Sequence, residues 1–186
     1  YQPHPALAVD ATGTPLYLEL SEQEIKRKFT LADFPQTGTR ELVADDYLYQ
    51  IKRLAHPRVN SPIFGHISEY IVGLKELSDA LKAENQRLLA AHEAAFGKAD
   101  KGLPWIDLRK FPLAGVEVVD RHTYRVRLKG LYPQFAYWLA MPFFAPVPVE
   151  ADRFYGQRGM NDGRNLTLDW WPIGTGPYML TENNPN

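Results

Sequence analysis

The sequence predicts an α+β fold in which a small antiparallel sheet packs with several helices. Two helical patterns and one strand pattern support this fold class. Apolar residues recur with a helical period over 44–55 and, more sparsely, over 75–96. Residues 116–129 instead alternate between apolar and polar side chains around a short polar turn, as in a hairpin with one solvated face.

The helix predicted over 44–55 carries the strongest set of local signals. Two acidic residues occupy its first turn and two basic residues its last turn, as the helix dipole favours, and Pro57 prevents continuation. Val43 stands at the N-cap without a side-chain oxygen, so we expect a start weakened by about 1 kcal/mol. The face that should pack on the sheet consists of Tyr47, Leu48, Ile51, Leu54 and Ala55.

Other elements before the hairpin have weaker signals. Residues 16–20 are predicted as a short strand, and Ser21 as the cap of a short helix that reaches Lys28. Ser61 and Pro62 should begin another helix, which ends near Gly73. The helix over 75–96 is expected to be the longest and to stop at Gly97.

After the hairpin, residues 132–140 place several aromatic side chains on one helical face, and a short helix is predicted near 149–155. Between them, prolines interrupt residues 141–148, which we expect to run along a sheet edge because proline has no N–H to donate. Two interpretations stay open for Met141, Phe143 and Phe144. They either pack in the core or form the wall of a ligand cleft.

Composition excludes several classes of protein. The chain has 186 residues and is 45% hydrophobic, which favours a folded domain. Its formal net charge of −1 argues against the basic surface that nucleic-acid binding requires. No apolar run approaches the ~20 residues that cross a bilayer. The chain contains no cysteine, which excludes disulfides and thiolate chemistry. Because it begins at Tyr1 rather than Met, we expect a fragment of a longer protein.

No motif predicts catalysis or metal binding. His92-Glu93 opens like a zinc-protease motif, but Phe96 stands where the second histidine is required. The five histidines are scattered along the sequence. The segment G-T-G at 174–176 lacks the third glycine of a dinucleotide fingerprint, so it does not predict a phosphate-binding loop. We therefore predict no catalytic residue, no metal ligand and no cofactor.

Five segments, in the same order, resemble the family 5 extracellular solute-binding proteins, the peptide and dipeptide receptors of ABC importers. R-E-L-V-A-D-D-Y-L-Y-Q-I-K-R-L-A-H-P at 40–57 is similar to a family block of the form T-A-x-D-F-V-Y-S-x-K-R-L-x-D-P. P-I-G-T-G-P-Y-M-L at 172–180 resembles the signature P-V-G-T-G-P-Y. The segments at 61–73, 118–129 and 132–148 resemble the intervening parts of the family.

The resemblance implies a subdomain of a two-lobed periplasmic-binding-protein fold that closes on its ligand by a hinge. Residues 1–39 would come from the first-lobe sheet, 40–171 would form the accessory subdomain of lobe I, and 172–186 would be a return strand. The second lobe would lie outside this chain. The positions implied to approach the ligand cleft are Ser61, Phe64, Met141, Phe143 and Phe144.

The function implied by the resemblance is binding of an oligopeptide or dipeptide in the periplasm and its delivery to ABC permease subunits, without catalysis, nucleic acid or a membrane span in this chain. Family members that bind nickel, haem or sugar stay open as alternatives. A second alternative is the solute-sensing domain of a transcriptional regulator, which an upstream helix-turn-helix would identify. A third alternative is an enzyme, and turnover of any substrate in a hydrolase panel would favour it.

Overall fold

The computed structural model describes residues 1–98, 100 and 102–183. Within them the fold is α+β, as predicted. A two-stranded antiparallel sheet is formed by β1 (Val116–Asp120) and β2 (Thr123–Val126). The helices are α1 (Glu22–Ile25), α2 (Ala44–Leu54), α3 (Phe64–Tyr70), α4 (Leu74–Phe96), α5 (Phe135–Leu139) and α6 (Val149–Tyr155).

The chain divides into two compact units. Unit 1 comprises Tyr1–Leu42, Gly102–Trp105 and Pro148–Asn186, and unit 2 comprises Val43–Lys101 and Ile106–Val147. Unit 2 therefore contains the hairpin and α2 to α5, whereas α1 and α6 belong to unit 1. Among the described residues, no helix is both long and apolar enough to cross a bilayer.

The predicted hairpin and the helix at 44–55 are confirmed, and they pack together in unit 2. Val116 pairs with Val126 and Val118 with Tyr124 across the sheet. The ring of Tyr47 on α2 stacks on that of Tyr124 with centroids 5.0 Å apart. Ile51, at the centre of the predicted stripe, is 2% exposed. The helix is thus held to the sheet by the face that its periodicity indicates.

At the start of α2, where Val43 has no capping side chain, an acidic residue one turn later accepts a hydrogen bond from the Val43 N–H. Val43 makes no side-chain cap, as expected, but the Asp46 carboxylate accepts a hydrogen bond from the Val43 N–H at 3.0 Å. The Ala44 N–H donates to the Arg121 carbonyl in the turn of the hairpin at 2.9 Å. Two N–H groups at the helix start are therefore satisfied without an N-cap hydroxyl.

Burial on α2 extends beyond the predicted stripe. Tyr47 and Leu48 are only half-buried, whereas Gln50 and Lys52, outside the stripe, are buried. The Lys52 ammonium donates to the Leu108 carbonyl at 3.2 Å, and burial lowers its pKa. A second flank of α2 therefore packs against irregular segments that periodicity does not anticipate.

The longest helix is confirmed as α4, with Gly97 at its C-cap. Leu74, Leu77 and Leu81 are buried along its first half. Beyond them, Leu89, Ala95 and Phe96 are exposed, so the apolar period over 75–96 is buried only in its first half. Gly73 precedes the helix with φ +80°, a conformation that favours glycine.

Unit 1 has its own core around α6, which is confirmed at Val149–Tyr155. Phe154 is fully buried and makes an edge contact with Phe34 at 5.0 Å between centroids. The indole of Trp105 inserts beside Gly156 and donates to the Asp152 carboxylate at 2.8 Å. Unit 1 is therefore built from three separated parts of the chain.

The strand predicted over 16–20 is wrong. These residues form bends, and side chains satisfy their backbone where a strand partner would be required. The Gln157 side chain accepts from the Leu20 N–H and donates to the Tyr17 carbonyl, both at 2.8 Å. Ser21 does cap α1 through a capping box with Glu24, but the helix ends at Ile25 rather than at Lys28.

Two helix boundaries and the proline-containing segment also differ from the prediction. Ser61 does not cap α3, which begins at Phe64 after a turn. The helix predicted over 132–140 is limited to α5, and the following prolines do not lie on a sheet edge, because Pro142–Phe144 form a 3-10 turn. Residues 172–183 form no strand with the described part of this chain, and the last three residues of the predicted return strand lie outside the described residues. The return strand stays a prediction, because its expected partner is the rest of the first-lobe sheet.

Candidate functional site

The five residues predicted at a ligand cleft all lie in unit 2, in two turns. Ser61 and Phe64 lie in and just after the turn before α3, and Met141, Phe143 and Phe144 in and beside the 3-10 turn. Within the described residues, no hydrogen bond or ring contact joins the first turn to the second. The two turns are therefore described one after the other.

The three residues of the second turn differ in exposure. Met141 is 44% exposed, Phe143 is half-buried and Phe144 is 3% exposed. The Phe144 ring packs edge-on against Phe135 of α5, with centroids 6.1 Å apart. Phe144 therefore belongs to the core, whereas Met141 and part of Phe143 are accessible to a ligand.

Gln50 holds this turn in place, a contact that sequence reasoning missed. Its side-chain amide donates a 2.7 Å hydrogen bond to the Phe143 carbonyl. Its Oε1 is buried and accepts no hydrogen bond within the described residues. The same is true of the Ser61 hydroxyl. The sequence signal that could have indicated this contact is the polar residue Gln50 next to Ile51, the central residue of the buried helix face.

Beside the first turn, four aromatic side chains form a cluster, which consists of His66, Tyr70, Tyr132 and Trp138. The rings of Tyr70 and Tyr132 stack at 4.0 Å between centroids. The Tyr132 hydroxyl contacts His66 Nε2 at 2.8 Å and accepts from the Trp138 indole at 2.5 Å. These bonds link side chains of α3 and α5 through the Tyr132 hydroxyl.

A separate cavity lies within unit 1, with a volume of about 370 Å³. Its apolar lining comes from Leu31, Phe34, Trp171, Ile173, Met179 and Leu180. Prolines 3, 5, 35 and 172 complete much of the wall. This volume and lining are typical of pockets that bind small molecules.

His4 is the ionisable residue of the cavity lining, and both nitrogens of its imidazole make hydrogen bonds within the protein. Nδ1 accepts from the Ala6 N–H at 3.0 Å, which leaves Nε2 to donate to the Tyr155 hydroxyl at 2.8 Å. That hydroxyl in turn donates to the Trp171 carbonyl at 2.8 Å. Burial lowers the His4 pKa to about 4, so the ring is neutral at ordinary pH.

Comparison with known proteins gives these surfaces a context. The family model described as bacterial extracellular solute-binding proteins, family 5 Middle, matches residues 25–186. The chain belongs to this family. Heme-binding protein A of Haemophilus influenzae is 33% identical over 81 residues, which are 42% of this chain and 14% of that protein. The chain therefore aligns with a small part of this curated relative. No solved structure matches the chain.

The described part of this family 5 chain contains no group of three or more His, Asp or Glu side chains that could hold a metal ion. Its strongly perturbed groups are occupied in structural bonds. Burial raises the pKa of Tyr155, whose hydroxyl is tied between His4 and the Trp171 carbonyl. The unit 1 cavity, which no motif indicated, is a pocket open to solvent, because part of its lining is exposed.

Proposed function

We propose that this chain is part of a periplasmic receptor that binds a small solute and delivers it to the permease subunits of an ABC importer. The single observation that supports the proposal is the family match, which extends over residues 25–186. The resemblance of the five sequence blocks favours an oligopeptide or dipeptide as the solute. The solute would be held and released without chemical change, by closure of two lobes.

Within such a receptor we assign residues 40–171 to the accessory subdomain of lobe I, between 1–39 and 172–186 from the adjoining sheet. Ser61, Phe64, Met141 and Phe143 would face the cleft. Exposure of Met141 and the partial exposure of Phe64 and Phe143 support this assignment. The buried Phe144 would act only by positioning the turn.

Haem is a second candidate solute, because the curated relative is named for haem binding. Iron in haem takes its axial ligands from side chains such as histidine. His4 has no free ring nitrogen to offer. His66 is exposed, and its Nδ1 has no hydrogen-bond partner within the described residues. A haem-binding receptor would therefore rely on groups other than the cavity histidine.

The deciding experiment is purification of the full-length protein under native conditions, followed by extraction of the bound compound and mass spectrometry. Recovery of short peptides, and calorimetric binding of a dipeptide or tripeptide, would support the proposal. A Soret band on titration with haem, with no heat from peptides, would favour the second candidate. Turnover of the bound compound would overturn the receptor function itself.

The cleft assignment has its own test in the same full-length protein. Met141→Ala and Phe143→Ala should weaken binding of the recovered solute, because each removes accessible apolar surface. Tyr137→Ala is the matched control, since Tyr137 lies on α5, is 76% exposed and is outside the predicted set. Equal affinities for all three variants would show that the turn does not contact the solute.

A further inference from the structure

We propose that the unit 1 cavity is a subsite for an uncharged apolar or aromatic group of the solute. The inference rests on the function proposed above and adds to it the chemical class that this site accepts. It follows from three features of the cavity, which are its lack of charge, its free hydroxyl groups and its rigid wall.

The first feature is charge. Among the described residues that line the cavity, none is Asp, Glu, Lys or Arg. The buried His4 ring is neutral because burial lowers its pKa to about 4, and both of its nitrogens are engaged in hydrogen bonds that suit the neutral form. A charged group that entered would lose part of its water without meeting an opposite charge, which is unfavourable. The cavity therefore discriminates against acidic and basic side chains.

The second feature is the small number of polar groups that stay available to a ligand. The Gln2 amide is occupied, because its Oε1 accepts from the Gly174 N–H at 3.3 Å and its Nε2 donates to the Gly176 carbonyl at 2.8 Å. The hydroxyls of Thr37 and Thr181 have no hydrogen-bond partner among the described residues. A guest with an apolar body and one neutral polar atom, such as an indole or a phenol, matches this arrangement.

The third feature is rigidity. Four prolines in the wall have a fixed φ, and the bonds of Gln2 tie the first residues of the chain to residues 174–176. Phe34 and Trp171 contribute aromatic faces to the same space. A preformed wall reduces the entropy lost on binding, so even a small group gains affinity there.

The test uses N-acetyl-tryptophanamide as an uncharged aromatic probe and N-acetyl-lysinamide as its charged counterpart. Binding to the full-length protein is followed by NMR through the Met179 methyl group and the Trp171 indole. The aromatic probe should shift both signals in a saturable way, and the lysine derivative should not. Equal responses to the two probes, or no response because other residues of the full-length protein fill the cavity, would overturn the proposal.

Two pairs of variants test the location. Ala32 is exposed and lines the cavity, so Ala32→Trp should fill the space and weaken the aromatic probe by at least about tenfold. Ala11→Trp adds the same side chain at an exposed position outside the cavity and should leave affinity unchanged. Thr181→Glu should weaken the aromatic probe and allow the lysine derivative to bind, whereas Thr181→Val, which removes a hydroxyl without adding charge, should weaken the aromatic probe only slightly and still exclude the lysine derivative. Failure of Ala32→Trp to differ from Ala11→Trp would exclude the cavity as the site.

These outcomes separate the subsite from the receptor function. If the full-length protein binds its native solute equally well with and without Ala32→Trp, and the aromatic probe does not compete, the subsite is wrong while the receptor function stands. If no solute is recovered but the probes behave as expected, the cavity remains a site for apolar groups, and the proposed receptor function is the part that fails.

Discussion

The Gln50 side chain donates a hydrogen bond to the Phe143 carbonyl across 93 positions of sequence, at 2.7 Å. This contact joins the middle of α2 to the turn that carries Met141. Because Gln50 is 7% exposed, the bond is shielded from water. It makes the position of an irregular, proline-containing turn depend on a regular helix.

Gln50→Leu should lower the free energy of unfolding by about 1–3 kcal/mol, because a shielded carbonyl would lose its donor. Urea denaturation measures the change. Gln86→Leu, at an exposed position of α4, is the control and should stay within about 0.5 kcal/mol of the parent. A Gln50→Leu variant as stable as the control would show that the turn does not need this bond.

Ile51→Ala should lower the free energy of unfolding by about 2–5 kcal/mol, since it leaves a cavity between α2 and its neighbours. Leu89→Ala, on the exposed half of α4, provides the comparison because Leu89 is 39% exposed. Both are measured by chemical denaturation. A loss below about 1 kcal/mol at Ile51 would mean that the site relaxes around the deletion.

Val43→Thr should stabilise the protein by up to about 1 kcal/mol, because Val43 already has the extended backbone of an N-cap and lacks only the oxygen. Thermal unfolding reports the gain. Asp46→Ala should act in the opposite direction by freeing the Val43 N–H. A neutral Val43→Thr would show that the first-turn N–H groups gain nothing from a side-chain acceptor at this position.

The free energy of unfolding should fall as the pH is lowered, because of His4. Its pKa is about 4 in the folded protein, against 6.5 as the ordinary value, so between these pH values the unfolded chain binds a proton that the folded chain does not. The stabilisation is complete above pH 6.5 and is lost as the pH falls towards 4, by about 3 kcal/mol in total. His4→Gln should flatten the profile between pH 6.5 and 5. An unchanged profile in that variant would assign the pH dependence to another group.

Gly38→Ala should destabilise unit 1, since a Cβ there would lie 2.0 Å from the Leu7 carbonyl oxygen. The backbone cannot easily retreat, because Gly38 is paired with His4 by two hydrogen bonds of 2.9 and 3.1 Å. Gly65→Ala is the matched control in α3, where a Cβ would meet nothing within 4 Å. That substitution should be neutral or stabilising by up to about 1 kcal/mol. Equal effects of the two substitutions in a denaturation assay would contradict the steric argument.

Sequence reasoning succeeded where the signal is local. The stripe of α2, the stop of α4 at Gly97 and the alternation of the hairpin each lie within one short segment. It failed for residues 16–20, because their β pattern requires a partner strand and the Gln157 side chain satisfies that backbone instead. Strand formation depends on distant residues, which no short pattern specifies.

The candidate sites were only partly predictable for the same reason. Exposure in a 3-10 turn changes from one residue to the next, so Met141 and Phe144 could not be distinguished by period. The unit 1 cavity is assembled from residues near 2–5, 31–37, 171–173 and 179–181. Its walls are mostly irregular segments, for which no periodic pattern exists.

The four residues Gly102–Trp105 have a consequence for how this protein can be divided. The chain leaves unit 2 for this short segment and then returns to it at Ile106. The segment carries Trp105, whose indole bonds to Asp152 and fills the space beside Gly156. Excising residues 43–147 as a cassette would therefore remove a tryptophan from the unit left behind. The two units are interleaved in sequence, and neither can be exchanged between relatives by a single cut at each end.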